Sequence, residues 1–357
     1  MSALTRRTRY DLTRDELTEV LAGEPLYRLD QVWQSLYIHL LEPGEMTTLP
    51  KALRARLDDA LPSALRTTTK STSHDGGTVK WLWQLHDGSH VETVLMHYRD
   101  RSTVCISTQA GCAMACGFCA TGQGGFERNL TVGEIVEQVV RASRDARAND
   151  RRVSNIVFMG MGEPFANYDR TIAALERIHD DLGISARHLT VSTVGIIPGI
   201  VRFGTERLPA NLAVSLHAAN DTLRNELVPI NRRYPLAQLA DACREYLGHR
   251  NRRLSFEWAM IDNVNDRPTD ARELAAIARD LRAHVNLIPL NPTEGFATIG
   301  SPLARVHEFR DDLVARGVNA TVRQNRGTDI DAACGQLRAR AVSIGPRRTP
   351  VAPDKAN

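Results

Sequence analysis

Three cysteines with the spacing C-x3-C-x2-C could hold a metal centre in the first half of the chain. They are Cys112, Cys116 and Cys119, in a segment at 109–119 that directly follows an apolar, strand-like run at 102–108. Iron–sulfur clusters are held by cysteine thiolates, and a closed [4Fe–4S] site needs four of them. Three closely spaced ligands therefore predict a cluster with one open iron that could bind a substrate, much as a catalytic zinc keeps one free position.

Two other interpretations of these cysteines stay open from the motif alone. A zinc knuckle would need a fourth Cys or His at close spacing, and none follows Cys119 nearby. The cysteines could also be small buried residues that bind nothing. The open cluster is the interpretation that the spacing favours.

A glycine-containing turn and several polar residues follow other apolar runs. The turn at 160–164, Gly-Met-Gly-Glu-Pro, comes after a run that ends at Met159. Glycines there let a ligand approach the backbone closely, and Glu163 could accept a hydrogen bond from an ammonium group. A plain turn, or ordinary capping residues, would be the alternative without function. The polar residues near the ends of later runs are Ser192, Ser215, His217 and Asn291.

Further cysteines and one glutamate lie outside this set. Cys105 is inside the first strand-like run, and Cys334 lies in a glycine-rich, polar segment that is typical of a loop. Cys243 falls in a predicted helix and is most simply a buried structural thiol. Glu92 falls in a predicted hairpin strand, where the pattern alone places it on the solvent face.

Alternating strands and helices after residue 101 must position these side chains. Amphipathic helical stretches separate six apolar runs, which predicts a parallel sheet with right-handed crossovers. We expect an α/β protein with a partial (βα)6 barrel, whose active site lies at the carboxyl ends of the strands. The predicted strands are 104–106, 156–159, 189–191, 212–216, 254–260 and 285–290, with a further strand at 318–322. The predicted helices are 132–147, 169–182, 236–247, 271–282 and 304–316.

The chain before residue 101 is predicted to form a small helical accessory domain and a β-hairpin. A capping-box pattern at 13–16 and a 3.6-residue apolar period through 27–41 favour helices, as does the segment 52–60. Alternating residues around 86–88 favour the hairpin, which carries Glu92. The predicted units are the helical domain at 1–75, the hairpin at 76–100, the barrel at 101–340 and a flexible, Pro-rich tail at 341–357.

Composition limits the functional classes. The 357 residues carry a formal charge of +3, and residues 1–15 lack the apolar core of a secretory signal. No run approaches the roughly 18 apolar residues of a membrane span. Six cysteines, three of them clustered, indicate a cytoplasmic location and metal binding rather than disulfides. Arginine supplies 41 of the 45 basic residues, which permits an RNA partner without demanding one.

Taken together in their order, the motifs resemble the RlmN/Cfr family of radical S-adenosylmethionine (SAM) RNA adenine methyltransferases. In that superfamily the open iron chelates the amino and carboxylate groups of SAM, and reduction of the cluster cleaves SAM to a 5′-deoxyadenosyl radical. The resemblance extends from about residue 27 to residue 337. The matching residues are Cys105, Cys112, Cys116, Cys119, Gly162-Glu163, Ser215-Leu216-His217, Pro289-Leu290-Asn291-Pro292 and Cys334-Gly335-Gln336-Leu337.

The resemblance implies a role for each matching residue. The three-cysteine motif would hold the [4Fe–4S] cluster. Cys334 would take a methyl group from SAM, Cys105 would resolve an adduct through a transient disulfide with Cys334, and Glu92 would accept a proton, which replaces the solvent-face interpretation. The implied SAM contacts are Gly162, Glu163, Ser192, Ser215, Leu216, His217 and Asn291.

The implied reaction explains why two additional cysteines are needed. Adenine C2 is electron-poor, whereas SAM donates methyl groups to nucleophiles, so a covalent relay is a reasonable solution. A second SAM would give the radical that activates the S-methyl group of Cys334 for addition to the ring, and a positioned base would remove the ring proton. The implied product is 2-methyladenosine in the peptidyl-transferase region of 23S rRNA. A tRNA adenosine next to the anticodon would be a second substrate, and a flavodoxin-type protein would donate electrons.

Several alternatives stay open in the sequence. Methylation at adenine C8, the antibiotic-resistance activity of this family, shares these motifs. Residues 96–98 and 107–110 depart from the common family pattern, so a paralogue with another RNA target is also open. A non-enzymatic iron–sulfur or zinc RNA-binding protein is a rival from another class. The arginines at 141, 144, 147, 151 and 152 could bind phosphates or form a solvated face, and Tyr27, Trp33 and Tyr37 could stack on bases or pack their helix.

Overall fold

A ten-stranded mixed sheet is the centre of the structure, a computed structural model that describes residues 7–249, 252–291, 293, 299–337 and 339. The predicted tail at 341–357 lies outside the described residues. The strands are β1 (Arg66–Thr72), β2 (Thr78–Gln84), β3 (His90–His97), β4 (Ser102–Cys105), β5 (Gln109–Gly111), β6 (Phe126–Asn129), β7 (Val153–Phe158), β8 (Leu189–Thr193), β9 (Asn211–Ser215), β10 (Leu254–Met260), β11 (His284–Pro289) and β12 (Ala320–Val322). The helices are α1 (Arg14–Val20), α2 (Tyr27–Tyr37), α3 (Lys51–Ala60), α4 (Ala120–Gln123), α5 (Val132–Ala148), α6 (Tyr168–Asp180), α7 (Ile197–Thr205), α8 (Asp221–Leu227), α9 (Leu236–Gly248), α10 (Pro268–Asp280) and α11 (Leu303–Ala315).

The barrel part of the sheet is parallel and open. Strands β4, β7, β8, β9, β10, β11 and β12 lie side by side in chain order, each parallel to the next. The sheet order ends at β1 and β12, so within the described residues the barrel does not close. The predicted partial βα barrel is confirmed, and so is the additional last strand. The long helices predicted between the strands form as α5, α6, α9, α10 and α11.

Burial explains why the apolar runs become strands. Leu212, Ala213 and Val214 of β9 are all buried, which is typical of a parallel strand with both faces covered. Helix α5 is amphipathic and begins at a capping box in which Thr131 accepts from the backbone N–H of Glu134. No helix in the described ranges is long and apolar enough to cross a membrane.

Helices α1 to α3 form the predicted N-terminal helical unit. The capping box at its start is confirmed, because the side chains of Thr13 and Glu16 each accept from the other's backbone N–H. Trp33 and Tyr37 are buried, with ring centroids 4.7 Å apart, and the Trp33 indole donates to Asp181 of the barrel at 2.9 Å. These two aromatic residues therefore pack their helix, as one of the two predicted interpretations states. Tyr27 is 60% exposed.

The end of the predicted helical unit differs from the structure. Residues 66–72 form β1, which pairs antiparallel with β2 at one end of the sheet order. Its sequence, Arg-Thr-Thr-Thr-Lys-Ser-Thr, has no apolar alternation because both faces of this edge strand are polar and mostly exposed. The hydrophobic period therefore gave no signal for it. The predicted hairpin itself forms from β2 and β3.

The arginine-rich face of α5 contacts the N-terminal unit. Arg141 donates to Glu42 at 2.7 Å, and Arg144 forms two hydrogen bonds with Glu45 at 2.7 and 2.8 Å. Arg147 donates to a backbone carbonyl at the end of α2, at 2.9 Å. Neither predicted alternative, a phosphate site or a solvated face, describes these three arginines. They connect the helical unit to the barrel.

Candidate active site

The three-cysteine loop runs from β5 to α4, and the turn at its start requires a glycine. A Cβ atom on Gly111, which has φ +73°, would lie 2.1 Å from the carbonyl oxygen of Gly125, so only glycine fits there. The next residue, Cys112, donates its backbone N–H to the same carbonyl at 2.6 Å. The backbone of Cys119 donates to Cys116 at 3.1 Å. These contacts fold the segment into a compact loop that carries all three thiols.

One cavity at the carboxyl ends of the parallel strands brings together most of the predicted site residues. We call it the main cavity. It is lined by Cys112, Cys116, Cys119, Gly162, Glu163, Ser192, Ser215, His217 and Cys334. Residues as far apart in the chain as Cys112 and Cys334, 222 positions, thus share one site, as the βα arrangement predicts.

The three thiols of the main cavity are the donor type that holds an iron–sulfur cluster. Within the described residues, no three His, Cys, Asp or Glu side chains converge as a single metal ion would require. In a cluster, each of the three thiolates binds a different iron, so the sulfurs need only surround a shared cavity. Burial raises the pKa of Cys112 to about 12 and that of Cys116 still further, so positive charge from bound iron would be needed to hold them as thiolates. Cys112, Cys116 and Cys119 would hold the [4Fe–4S] group.

Glu163 is buried with both carboxylate oxygens directed by backbone groups. Oε1 accepts from the N–H of Phe165 and Oε2 from that of Val194, each at 2.9 Å. Burial raises the pKa of Glu163 to about 7, against the opposing effect of these hydrogen bonds. Each oxygen keeps a second lone pair, so the carboxylate could still accept from an ammonium group at the cavity wall.

His217 presents a neutral imidazole beside the three-cysteine loop. Its Nδ1 accepts from the backbone N–H of Ala259 at 3.0 Å, and its ring meets Phe118 edge-on at 4.6 Å. Burial, followed by the positive charge of Arg224, lowers the pKa of His217 to about 3. The proton on the ring therefore sits on Nε2, which makes this histidine a hydrogen-bond donor at physiological pH.

Arg224, which the sequence analysis missed, supports the site from within the buried core. Its guanidinium is fully buried and donates to the carbonyls of Val194 at 2.7 Å and Leu216 at 3.0 Å. It thereby joins the carboxyl ends of β8 and β9. Leu216 itself is buried in the core and does not line the main cavity. An arginine in a short helix usually faces solvent, so the sequence carried no signal for this role.

The Cys334 segment is held against the three-cysteine loop. The backbone N–H of Ala120 donates to Gly335 at 2.8 Å, and the Asn291 amide donates to the carbonyl of Cys334 at 3.3 Å. Asn291, a predicted SAM contact, is thus engaged with this segment and does not line the main cavity. These contacts place Cys334 at the cavity wall although it lies 215 residues after Cys119 in the chain.

Cys105 and Cys334 line a second, smaller cavity that adjoins the first, and we call it the side cavity. Cys119 and Arg323 also line it. Burial raises the pKa of Cys105 to about 12. The pKa of Arg323 is raised mainly by the negative charge of a Cys334 thiolate. Both cysteines are free thiols in the structure. Arg323, another residue that the sequence analysis missed, lines both cavities and places a positive charge beside Cys334.

Glu92 is fully buried, which overturns the solvent-face interpretation of its strand pattern. Its carboxylate lies 3.1 Å from the ammonium of Lys80. The hairpin has no solvent face here because both sides are covered. Thr93 points to the other side and donates to Gln138 of α5 at 2.8 Å. Val94, two residues after Glu92 and on the same face, lines the side cavity.

Glu257 is a third charged residue of the site that the sequence analysis missed. It is 4% exposed, lies in the middle of β10 and lines the main cavity. One oxygen accepts from Asn286 at 2.9 Å, whereas the other has no hydrogen-bond partner among the described residues. Such a buried acceptor is costly unless a ligand or water satisfies it. A glutamate inside an apolar strand was the only available signal.

The fold and the cavity define the class of protein. Residues 106–275 match the Radical SAM superfamily. A radical SAM methyltransferase from Sphaerobacter thermophilus has a similar crystal structure, with a TM-score of 0.91 and 50% identity over 93% of this chain and 99% of that one.

Relatives of similar length define the family within that class. The probable dual-specificity RNA methyltransferase RlmN of Chloroflexus aurantiacus is 51% identical over 95% of this chain and 94% of its own length. The protein of the same name from Salinispora tropica is 49% identical over 92% of each chain. The chain belongs to the RlmN/Cfr family of radical SAM RNA methyltransferases and is of the RlmN type. It is a SAM-dependent RNA methyltransferase, and its superfamily uses a [4Fe–4S] cluster.

Proposed function

We propose that the chain methylates C2 of an adenosine in RNA through a methyl group carried on Cys334. The observation that supports this most strongly is the position of Cys334, which lines both the main cavity, with the three cluster cysteines, and the side cavity, with Cys105. A thiol at that junction can take a methyl group on one side and meet a resolving thiol on the other. The proposed substrates are 23S rRNA and tRNA, in line with the name dual-specificity that the relatives carry.

Residues of the chain carry the methyl group and accept the proton in the proposed reaction. Cys334 attacks the methyl group of one SAM as a thiolate and becomes S-methylcysteine, while S-adenosylhomocysteine leaves. The cluster and a second SAM supply a 5′-deoxyadenosyl radical when bound. The S-methyl group of Cys334 would lose a hydrogen atom to that radical, giving 5′-deoxyadenosine, and the remaining methylene carbon would add to adenine C2. The adduct radical gives up its C2 proton to Glu92 and one electron to an acceptor, a role that the oxidised cluster would fill when bound.

Release of the product then needs Cys105. Its thiolate attacks the sulfur of Cys334, the bond from that sulfur to carbon breaks, and the electron pair moves to the carbon. That carbon takes a proton to complete the new methyl group, and a Cys105–Cys334 disulfide remains. An external reductant must reopen this disulfide before the next turnover. A flavodoxin-type protein is the proposed electron donor to the cluster.

The proposed SAM contacts follow the main cavity. Glu163 would accept from the amino group of SAM, and His217 would donate from Nε2. Ser192 and Ser215, whose hydroxyl oxygens are 3.5 Å apart, would hold polar groups of the same ligand. Gly162, Leu216 and Asn291 would act through backbone shape and through the segments they hold. One cluster per chain and two SAM molecules per turnover complete the proposal.

The experiment is anaerobic reconstitution with iron and sulfide, followed by SAM, reductant and protein-free 23S rRNA or tRNA, with nucleosides identified by mass spectrometry. We expect 2-methyladenosine. Formation of 8-methyladenosine would instead assign the C8 activity. Cys334→Ala should abolish methylation while the cluster absorbance persists, and Cys105→Ala should accumulate a protein–RNA adduct. Normal methylation by Cys334→Ala would exclude the relay.

A further inference from the structure

Lys80 joins two parts of the site that the chain keeps far apart. Its ammonium lies 3.1 Å from Oε1 of Glu92 and donates to the backbone carbonyl of Asp331 at 3.0 Å. Lys80 is 5% exposed and Glu92 is fully buried, so the contact is shielded from bulk solvent. Asp331 stands three residues before Cys334. One side chain thus contacts both the proposed base and the segment of the proposed nucleophile.

The β2–β3 register fixes this geometry. Leu82 of β2 is opposite Glu92 of β3, and Lys80 precedes Leu82 by two residues on the same face. Lys80 therefore reaches diagonally across the pair toward the carboxylate. Because two neighbouring strands of the central sheet carry the two side chains, their separation is set by backbone hydrogen bonds and not by a mobile loop.

The choice of lysine is unusual for this chain. Only four of its 45 basic residues are lysines, and Lys51 and Lys70 are exposed. A guanidinium is a planar fork suited to bidentate contacts, whereas an ammonium is a compact charge whose donors can point in different directions. The Lys80 ammonium contacts a carboxylate and a carbonyl that belong to different segments, and a compact ammonium suits this arrangement better than a planar guanidinium does.

Stability alone is a weak reason to keep such a pair. The desolvation of two buried charges offsets much of their mutual attraction, so a buried ion pair gives weak support for a purely structural role. The contact with Asp331 gives Lys80 a second role, because it also holds the segment that leads to Cys334. Asp331 has φ +51° in a turn whose neighbour Asp329 accepts from the backbone of His74 at 2.9 Å. The turn before Cys334 is therefore bonded to the β1–β2 turn through His74 and to β2, the strand paired with that of Glu92, through Lys80.

We propose that Lys80 is a positioning residue of the methyl transfer, which holds the Glu92 carboxylate and the Cys334 segment at a set separation while adenine is bound. This inference rests on the proposed roles of Glu92 and Cys334. The methyl group on Cys334 fixes where the adenine ring is attached, and the base must then stand beside the C2 proton of that same ring. Without Lys80, Glu92 and the Cys334 segment would lose the side chain that contacts both of them.

The test separates loading of Cys334 from resolution of the adduct. Lys80→Met removes the ammonium and keeps an unbranched side chain. We expect mass spectrometry of the protein to show normal S-methylation of Cys334. With RNA present, we expect 5′-deoxyadenosine to form, the protein–RNA adduct to accumulate and its resolution to slow by about a hundredfold, the lower range for loss of a positioned base. Lys70→Met, at an exposed lysine of β1, is the matched control and should behave as wild type.

A double-mutant cycle with Glu92→Gln decides whether Lys80 acts through the base. Lys80→Met should add nothing to the defect of Glu92→Gln, whereas additive defects would overturn the inference. If Glu92→Gln accumulates adduct but Lys80→Met resolves it at the wild-type rate, the inference fails and the proposed function stands. If Glu92→Gln itself methylates RNA normally, the proposed base is wrong and the inference fails with it.

A second variant keeps the inference testable if Lys80→Met does not fold. Lys80→Arg retains the charge but replaces the compact ammonium with a larger planar group. We expect this variant to bind the cluster, to load Cys334 and to hold the adduct longer than wild type does. Adduct lifetimes equal to wild type in Lys80→Arg would contradict the requirement for an ammonium at this position.

Discussion

Gly162 lies so close to Gln109 that a Cβ atom added to Gly162 would stand 2.5 Å from the Cβ of Gln109 and 2.8 Å from its backbone nitrogen. Gly162 also has φ +97°, which side chains rarely adopt. Gln109 in turn accepts from the backbone N–H of Glu163 at 2.8 Å. The turn that carries Glu163 and the strand that leads into the cysteine loop are therefore in direct contact, with no space between them.

The first prediction follows from this contact. Gly162→Ala should lower the free energy of unfolding by about 2 to 5 kcal/mol, because backbone strain and overpacking against Gln109 add. It should also reduce cluster content after reconstitution. Gly183→Ala is the matched control, since Gly183 has φ +71° but nothing within 4 Å of an added Cβ. Denaturant unfolding of the two variants gives the comparison, and equal losses would contradict the steric argument.

A second prediction concerns the buried guanidinium of Arg224. Arg224→Met should destabilise the protein by about 3 to 5 kcal/mol, because it leaves buried carbonyls, among them that of Val194, without a donor. It should also weaken SAM binding, since those carbonyls mark the ends of two strands that line the main cavity. Arg232→Met is the control at an exposed arginine and should change stability by less than about 0.5 kcal/mol. Denaturant midpoints and calorimetric SAM binding measure the two effects.

The fold was predictable because its signals are repeated and local. Apolar runs that alternate with amphipathic stretches specified the parallel strands and five of the helices. Helix α7 was missed because it contains Gly199 and Gly204, which disfavour helix locally. The structure shows why glycine is there, since a Cβ on Gly199 would lie 2.7 Å from the side chain of Phe165. Tertiary packing requires these glycines against the local propensity.

The candidate site was predictable where chemistry depends on residue type and spacing. The cysteines, and the turn with Glu163, carry such patterns. Lys80, Arg224 and Glu257 do not, because a charged residue is usually on the surface and nothing local marks these three as buried. Their roles depend on which distant segment covers them. Glu92 shows the same limit, since its strand pattern indicated solvent and only the resemblance to a family indicated a function.

The third prediction is a pH dependence that His217 causes. The pKa of His217 is about 3 in the folded protein and ordinarily 6.5, so only the unfolded chain takes up this proton between those values. Above pH 6.5 this histidine is neutral in both states and does not lower the free energy of unfolding. As the pH drops from 6.5 toward 3, protonation of the unfolded chain lowers that free energy. Relative to His217→Asn, which cannot titrate, the apoprotein should lose about 1.4 kcal/mol per pH unit below 6.5. Parallel pH profiles of unfolding for the two proteins would contradict this.

The fourth prediction tests the contact between the N-terminal unit and the barrel. Arg144 holds the pKa of Glu45 below its usual range, chiefly through their side-chain hydrogen bonds. Glu45 therefore contributes stability above its ordinary pKa of 4.5, and this contribution is lost as the pH falls through the lowered value. A double-mutant cycle of Arg144→Ala and Glu45→Ala should give a coupling energy of about 0.5 to 1 kcal/mol, because both side chains are partly exposed. The coupling should shrink in about 1 M salt, where the Debye length is near 3 Å. A coupling of zero at low salt would show that the Arg144–Glu45 pair does not help to join the two units.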